Sequence, residues 1–404
     1  MIAPGLAIPN PLSIKFGDSA SVDAFGYARV SMPETLFDSK LTNDAQPLFW
    51  DDQQTSGAGT SSTYNTNQAS VTLSVGASAA GTRVRQTFRR FGYQPGKSQL
   101  IRMTGVLGSG AAGITRRIGY FDEKNGLFFE LAGSILSVAR RTYTSGSAVD
   151  SSVSQSNWNL DKLDGTGKSG ITLDTSKTQV FYIDFEWLGV GRVRFGFVIG
   201  GEIVYCHEMN HANSLNVVYM SNPNLPLRYE IVNDGSGAAS NLVQICSSVV
   251  SEGGQTPAGR VTGIDRSIAV SIGSGAIYPV LSIRKKSTHL DIPINTLFVS
   301  VLTTGVANFA WRLLVNPTLT GASWNSITNS AIEYDVAATV ITGGTQGYIC
   351  YVSNSQDGIS LPLDDALRLG ANIAGTSDIL SLAITNLSAS PQSFHGALVW
   401  REQI

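Results

Sequence analysis

The chain has few charged residues for its length. Asp, Glu, Lys and Arg make up 14% of 404 residues, against roughly 25% in typical soluble domains. The formal net charge is −2, so no strong overall field would draw the protein to nucleic acid or to an anionic membrane surface. We therefore predict no nucleic-acid partner.

Cysteines and long apolar runs are also scarce. Cys206, Cys246 and Cys350 are far apart and odd in number, which excludes a disulfide framework. Cys206 and Cys246 lie in apolar, strand-like runs, so we predict buried, reduced thiols and synthesis in a reducing compartment. No apolar run approaches the roughly 18 residues of a transmembrane helix, and the segment after Met1 lacks the features of a signal peptide. We predict that the protein does not insert into a membrane and that it is assembled inside a cell.

Helical periodicity is nearly absent, whereas alternation of apolar and polar residues is frequent. Residues 71–75, 101–104 and 181–187 each present an apolar side chain at every second position, the pattern of half-buried antiparallel strands. Asn125-Gly126 and Gly200-Gly201 stand between such runs, where we predict tight hairpin turns. Short strands at this spacing predict an all-β fold of the sandwich or jelly-roll type.

Composition divides the chain into three parts. Residues 1–50 are rich in proline and poor in alternating runs, which favours either an extended N-terminal arm on a neighbouring subunit or a strand or two of the next domain after a loose terminus. Residues 51–254 are predicted to form a jelly-roll β-sandwich. A Gly/Pro-rich connector precedes residues 260–404, for which we predict a second, smaller β-sandwich.

The string His207-Glu208-Met209-Asn210-His211 matches the H-E-x-x-H motif of zinc proteases. The motif works on a helix, where both imidazoles reach one metal ion. Here the hairpin at Gly200-Gly201 predicts a strand, on which His207 points outward opposite Arg194 and stands about 13 Å from His211. Glu230 is the remaining candidate for a third ligand. We predict that this string is not a zinc site.

The other motifs are weaker. Gly165-Thr166-Gly167-Lys168-Ser169 resembles the end of a phosphate-binding loop, but Lys162 stands where that motif requires its first glycine. We predict no catalytic, cofactor-binding or metal-binding residue, no cofactor and no enzymatic activity. The arginine clusters are predicted to be solvated strand faces; they are Arg83, Arg85, Arg89 and Arg90, then Arg116 and Arg117, then Arg140 and Arg141.

Several stretches carry a resemblance to a known class of proteins. They are Arg194 to Glu208, Leu225 to Ile231, Ile245 to Gly254, Arg117 to Asp122 and Asn125 to Glu130. In these stretches the chain resembles virion structural proteins of tailed bacteriophages and some large DNA viruses. The resemblance implies a concanavalin-like jelly roll followed by a smaller β-domain, in a virion component without catalytic residues.

Three functions follow as hypotheses. The first is a non-enzymatic virion structural protein (capsid decoration, fibre, spike or tail component) that acts as a homo-oligomer with other virion proteins and is assembled in the host cytoplasm. The second is a glycan- or receptor-binding module that mediates host attachment. The third is a zinc hydrolase that uses His207, Glu208 and His211.

Overall fold

The fold is built from antiparallel β-strands. The structure, a computed structural model, describes residues 21–355, 359–363 and 367–403, without the side chains of 354–355 and 359–362. Within this part of the chain there is no α-helix, only 3-10 turns at Thr66–Gln68 and Gln155–Asn157, and so no helix long and apolar enough to span a membrane. The predicted all-β class, with a jelly-roll sandwich followed by a smaller sandwich, is confirmed.

Residues 21–251 contain fifteen strands. In chain order they are β1 (Glu34–Lys40), β2 (Trp50–Gly57), β3 (Thr60–Asn65), β4 (Ser70–Val75), β5 (Gly81–Thr87), β6 (Gln99–Val106), β7 (Ile114–Phe121), β8 (Gly126–Ala132), β9 (Ile135–Thr142), β10 (Val149–Ser154), β11 (Gln179–Phe185), β12 (Val193–Ile199), β13 (Glu202–Met209), β14 (Leu227–Asn233) and β15 (Ser240–Ser251).

These strands form two sheets that pack face to face. One sheet has the order β13-β12-β11-β6-β15-β4-β3, with β1 also beside β15, and the other has the order β10-β9-β8-β7-β14-β5-β2. Alternate side chains of both sheets meet in one core, in which Phe181 and Phe195 of the first sheet lie against Phe129 of the second. Burial of these aromatic side chains supplies much of the energy that holds the sandwich together.

The second half of the chain adds a further sandwich. Its strands are β16 (Arg260–Asp265), β17 (Val270–Ile272), β18 (Ile277–Lys285), β19 (Ile294–Thr303), β20 (Ala307–Val315), β21 (Thr318–Thr320), β22 (Asn325–Ser326), β23 (Ile332–Asp335), β24 (Val340–Thr342), β25 (Thr345–Ser355), β26 (Ile359–Pro362), β27 (Arg368–Leu369), β28 (Ile379–Asn386) and β29 (Gln392–Glu402).

Two six-stranded sheets enclose the second core. One has the order β16-β29-β19-β26, with β17 beside β29 and β27 beside β19; the other has the order β22-β23-β18-β28-β20-β25. Trp311 and Trp400 are fully buried between them. This core is separate from the first, so the chain contains two β-sandwiches joined after β15.

Of the two alternatives predicted for residues 1–50, the structure agrees over residues 34–50 with a strand of the next domain and not with an extended arm on a neighbouring subunit. Strand β1 pairs with β15 of the same chain, and Phe37 and Trp50 lie in the first core. Residues 34–50 therefore belong to the first sandwich, because Leu36, Phe37, Leu41 and Trp50 complete its core. Residues 21–33 lie outside the sheets but contact the same domain through Arg29, which pairs with Asp184. Residues 1–20 lie outside the described part.

The two predicted hairpins are present, with different turns. Gly200 and Gly201 both have positive φ, 63° and 87°, and join β12 to β13 as a two-residue turn, the conformation that favours glycine. The other hairpin turns over residues 122–125, and Gly126 already belongs to β8. A Cβ on Gly126 would collide with Phe121, so this glycine is required for close strand contact.

The cysteine predictions had mixed outcomes. Cys206 is fully buried in the first core, as predicted. Cys246 is exposed, and the prediction of a buried thiol was wrong. A bulge between Gln244 and Ser247 in β15 adds a residue to the strand, so the alternation of buried and exposed positions changes there.

Candidate binding cleft

The H-E-x-x-H string begins on a strand, as predicted, since β13 runs to Met209. A bulge shifts the register, however, so that His207 lies opposite Phe195 rather than Arg194. His207 is 7% exposed, which corrects the prediction of an outward side chain, and its Nδ1 accepts a hydrogen bond from the Asn159 amide at 3.3 Å. The helix on which a zinc protease depends does not form here.

The second histidine has separate contacts. The His211 ring stacks on Tyr219 with centroids 4.2 Å apart, and its Nδ1 lies 2.6 Å from the Gly191 carbonyl oxygen. Burial lowers the pKa of both His207 and His211, which favours neutral rings. Among residues 21–355, 359–363 and 367–403, no three His, Cys, Asp or Glu side chains form a group suited to a metal ion.

The outer face of the seven-stranded sheet carries a layer of arginines over aromatic rings. Phe121 and Phe128 point away from the main core and pack against each other, with centroids 4.6 Å apart. The guanidinium groups of Arg117, Arg141 and Arg228 lie 5.3–5.8 Å from these two rings. We call this surface, formed by those five residues, the arginine face; its cations bury the rings and gain cation–π energy.

Glu130 and Glu230 are among the carboxylates that pair with the arginine face. Arg117 lies between Glu130 and Glu230, donating to them at 2.7 and 2.5 Å, and Arg228 also donates to Glu230, at 2.6 Å. Glu230 is thus part of an ion-pair network and does not approach the histidines as a third zinc ligand. Despite its burial, the Arg228 and Arg117 charges lower the pKa of Glu230 to about 2. The carboxyl group is ionised at neutral pH.

Replacing Glu230 with glutamine is expected to destabilise the protein at neutral pH. The folded pKa of about 2 lies below the ordinary value of 4.5, so ionised Glu230 stabilises the fold above pH 4.5 and loses that contribution as the pH falls towards 2. A shift of this size corresponds to about 3 kcal/mol. Urea unfolding from pH 7 to pH 3 should show the difference between wild type and variant shrinking with acidity.

The matched control is Glu123→Gln on the same side of the domain. The Glu123 side chain is 65% exposed and lies 3.8 Å from Arg228, so its removal should change the unfolding free energy by less than about 1 kcal/mol. Equal losses for the two variants would contradict the ion-pair network.

A cleft of about 440 Å³ lies where the first sandwich meets the second. The first domain contributes the loops after β5, β7, β9 and the segment before β14, and the second contributes the loops after β18 and β27. The lining residues are Gln86, Arg90, Asp122, Glu123, Lys124, Asn125, Tyr143, Ser221, Asn222, Arg228, Ser287, Thr288, Leu290, Asp291, Ala371, Asn372, Ile373, Ala374 and Gly375. We call it the interdomain cleft.

Hydrogen bonds across the domain boundary hold the walls of the cleft. Asn222 donates to Asp291, and the Ile373 amide donates to Asp51 at 2.7 Å. The Ala371 amide donates to the Phe88 carbonyl at 2.9 Å. These bonds fix loops of the second domain against the first, so the cleft is preformed.

The floor of the cleft is a rigid turn. One Asp122 carboxylate oxygen accepts from the Lys124 and Asn125 amides at 2.7 and 2.8 Å, and the other accepts from Arg90 at 2.5 Å. The Arg90 charge and these donors lower the pKa of Asp122 against the effect of its burial. Asn125 accepts from the Ser221 amide at 2.9 Å, which ties the turn to the next loop.

The charges of the cleft balance. Its basic side chains are Arg90, Lys124 and Arg228, and its acidic side chains are Asp122, Glu123 and Asp291. One aromatic ring, Tyr143, is half-buried at the edge, with the Lys124 ammonium 5.3 Å from its centroid. A polar cleft of zero net charge with one ring suits a neutral ligand rich in hydrogen-bonding groups better than a phosphate or nucleic acid.

The sequence did not reveal this site. Its residues come mostly from loops that are distant along the chain, and none of those loops carries a motif. The arginine clusters were also misread as solvated strand faces, since Arg85 and Arg116 are 2% and 4% exposed. The signal that could have been used is the placement of Glu230 on a strand that also carries Arg228.

Comparisons with known proteins identify no family. No family model and no curated protein matches the chain. Solved structures that resemble it include a glycoside hydrolase family protein from Mycobacterium thermorestibile (11% identity, TM-score 0.37, 53% of this chain and 99% of that one). Another is a legume lectin-like domain from Entamoeba histolytica (10% identity, TM-score 0.31, 50% of this chain and 90% of that one). A third is the carbohydrate recognition domain of Emp47p (9% identity, TM-score 0.33, 53% of this chain and 94% of that one). The likeness covers about half of this chain and is too distant to transfer a ligand or an activity.

Proposed function

We propose that this protein is a non-enzymatic module that binds a carbohydrate in the interdomain cleft. The observation that carries the proposal is the cleft itself: about 440 Å³, densely polar, balanced in charge and bordered by the Tyr143 ring. Sugar hydroxyl groups both donate and accept hydrogen bonds, so they match mixed carboxylate, amide and guanidinium side chains. The apolar face of a sugar ring matches an aromatic side chain.

The state of two carboxyl groups, Asp122 and Glu230, supports binding without cleavage. Glycoside hydrolysis requires two carboxyl groups beside the bond, one of them kept protonated by a raised pKa. Asp122 in the cleft and Glu230 on the adjoining arginine face both have lowered pKa values and pair with arginines. Neither is suited to act as the general acid.

A glycan array followed by titration calorimetry tests this proposal. We expect the wild-type protein to bind at least one neutral glycan, and Tyr143→Ala and Glu123→Ala to bind it about tenfold more weakly, which equals about 1.4 kcal/mol. Tyr27→Ala is the matched control, since Tyr27 is 69% exposed and does not line the cleft. Absence of glycan binding, or unchanged affinity in both cleft variants, would refute the proposal.

A virion role is retained as a second proposal. It is supported by the resemblance of the chain to virion structural proteins, and by the long, uncharged outer strand β25, on which Ile349 and Tyr351 are exposed. The two proposals are compatible, since a virion component that binds a surface glycan would serve host attachment. Mass spectrometry of purified virus particles tests the virion role, and absence of this chain from the virus particles would contradict that role.

A further inference from the structure

Strand β25 ends one sheet of the second sandwich and is unusual among the outer strands. It pairs with β20 on one side, and no other strand of the described chain pairs with it. At 11 residues it is longer than any other strand that ends a described sheet. Its sequence, Thr345 to Ser355, contains no charged residue and no proline.

The side chains of β25 alternate between the core and the solvent. Tyr348, Cys350 and Val352 pack against the second core. Ile349 and Tyr351 face outward and are 41% and 70% exposed. Among the residues that the structure describes, the strand therefore presents an open backbone edge together with large apolar side chains, a combination that promotes pairing with another strand.

Several other outer strands carry features that prevent such pairing. Strand β2 has Asp51 and Asp52, and β13 has Glu202 and Glu208; strand β22 has only two residues. Charges and short length are the usual protection of a sheet edge. Strand β25 has neither, and its two register irregularities lie outside residues 348–352, so this central stretch is open to a partner.

We propose that β25 pairs antiparallel with β25 of a second copy of this chain, about a twofold axis at Cys350. The six-stranded sheet that contains β25 in one copy then continues into the same sheet of the second copy across the dimer. This inference goes beyond carbohydrate binding and does not depend on it, because the interdomain cleft lies elsewhere in the molecule.

The order of side chains in β25 selects this register. With Cys350 opposite its own copy, Ile349 faces Tyr351 on the outer side, and Tyr348 faces Val352 on the inner side. Each pair occurs twice and joins an aromatic to a β-branched side chain, the favoured type of cross-strand pair. Moving the axis to Tyr351 would place Ile349 opposite Ser353 and lose these pairs.

A second copy fits the edge better than a different protein. Because the segment is uncharged, two copies meet no like-charge repulsion in the antiparallel arrangement. Because the pairing is isologous, it uses both β25 edges at once and closes as a dimer, whereas pairing of β25 with a different edge of the next copy would leave open edges and build fibres.

Sedimentation analysis of the full chain at micromolar concentration tests the dimer. We expect wild type to sediment as a dimer and Tyr351→Lys to associate at least tenfold more weakly, since it places a charge on the edge. Val261→Lys, at a 54% exposed position on β16, should remain dimeric, and thermal unfolding checks that both variants fold. A monomeric wild type, or a Tyr351→Lys dimer of unchanged affinity, would overturn the proposal.

Cross-linking tests the register. Opposed residues of an antiparallel pair have Cα atoms about 4.5–5.5 Å apart, within the range of a disulfide. In a Cys246→Ser background, which removes the exposed cysteine, mild oxidation should link two copies through Cys350, and adding Cys350→Ser should abolish the link. A dimer that gives no link through Cys350 would refute the axis at this residue. The Tyr351→Lys variant should still bind glycan, because β25 does not line the interdomain cleft. A failure of the dimer proposal can therefore be told from a failure of the carbohydrate proposal.

Discussion

Replacing Asp184 with alanine is expected to lower the free energy of unfolding by about 3–5 kcal/mol, because the change removes the carboxylate that balances the buried Arg194 charge. Asp184 is fully buried on the outer side of the first sheet. It accepts from Arg194, from Arg29 at 2.7 Å and from Ser98 at 2.5 Å. Tyr205 donates to it as well, at 3.2 Å.

The same carboxylate holds the N-terminal segment on the sheet. Arg29, from residues 21–33, pairs with Asp184 and also with Glu252 at 2.6 Å. Losing one of two ion pairs at Arg29 should release this segment before the domain unfolds. Limited trypsin digestion should therefore cleave after Arg29 faster in Asp184→Ala than in wild type.

Chemical unfolding followed by tryptophan fluorescence measures the loss in stability. The control is Asp150→Ala, which removes a carboxylate paired with Arg141 at 2.7 Å but 30% exposed. An exposed pair of this kind contributes less than about 1 kcal/mol. If Asp184→Ala lost no more stability than Asp150→Ala, the buried network would not stabilise the fold as argued.

Replacing Lys285 with methionine is expected to stabilise the protein at neutral pH. Lys285 is 2% exposed at the end of β18, where burial, and next the charge of Arg90, lower its pKa from 10.5 to about 7. Its ammonium group donates to the Leu290 carbonyl at 3.0 Å. The fold therefore carries the cost of a buried cation at pH 7 and below, and methionine removes that cost.

The direction of the pH dependence follows from the lowered pKa. Between pH 7 and pH 10.5 the unfolded chain holds a proton on Lys285 that the folded chain releases, so stability rises with pH through this window and is unaffected by this group below it. The full shift corresponds to about 5 kcal/mol, from which the lost hydrogen bond subtracts about 1 kcal/mol. We expect Lys285→Met to be about 3–4 kcal/mol more stable at pH 7.

Urea unfolding at pH 6, 7, 8 and 9 measures the difference between wild type and variant. The advantage of Lys285→Met should be constant below pH 7 and shrink at each step above it. Lys40→Met, which removes an exposed lysine, should show no such trend. A variant less stable than wild type at pH 7 would contradict the cost of the buried cation.

Local sequence was sufficient for the strands and one of the turns. Alternation at residues 181–187 predicted β11, and Gly200-Gly201 predicted a two-residue turn, because side-chain direction and positive φ depend on neighbouring residues alone. The prediction failed for His207, where a bulge in β13 shifted the register by one residue. A bulge is set by the partner strand, so alternation along one strand did not reveal it.

What the sequence by itself determined is the all-β class, the separation into two sandwiches and the absence of a helix for H-E-x-x-H, since each follows from periodicity and turn chemistry over a few residues. Only the tertiary structure decided where the charges lie. Arg117, Glu130 and Glu230 meet because β7 pairs with both β8 and β14, and the interdomain cleft forms because loops from two sandwiches dock. Such contacts join residues far apart along the chain, and the energy that selects them resides in packing and charge pairing.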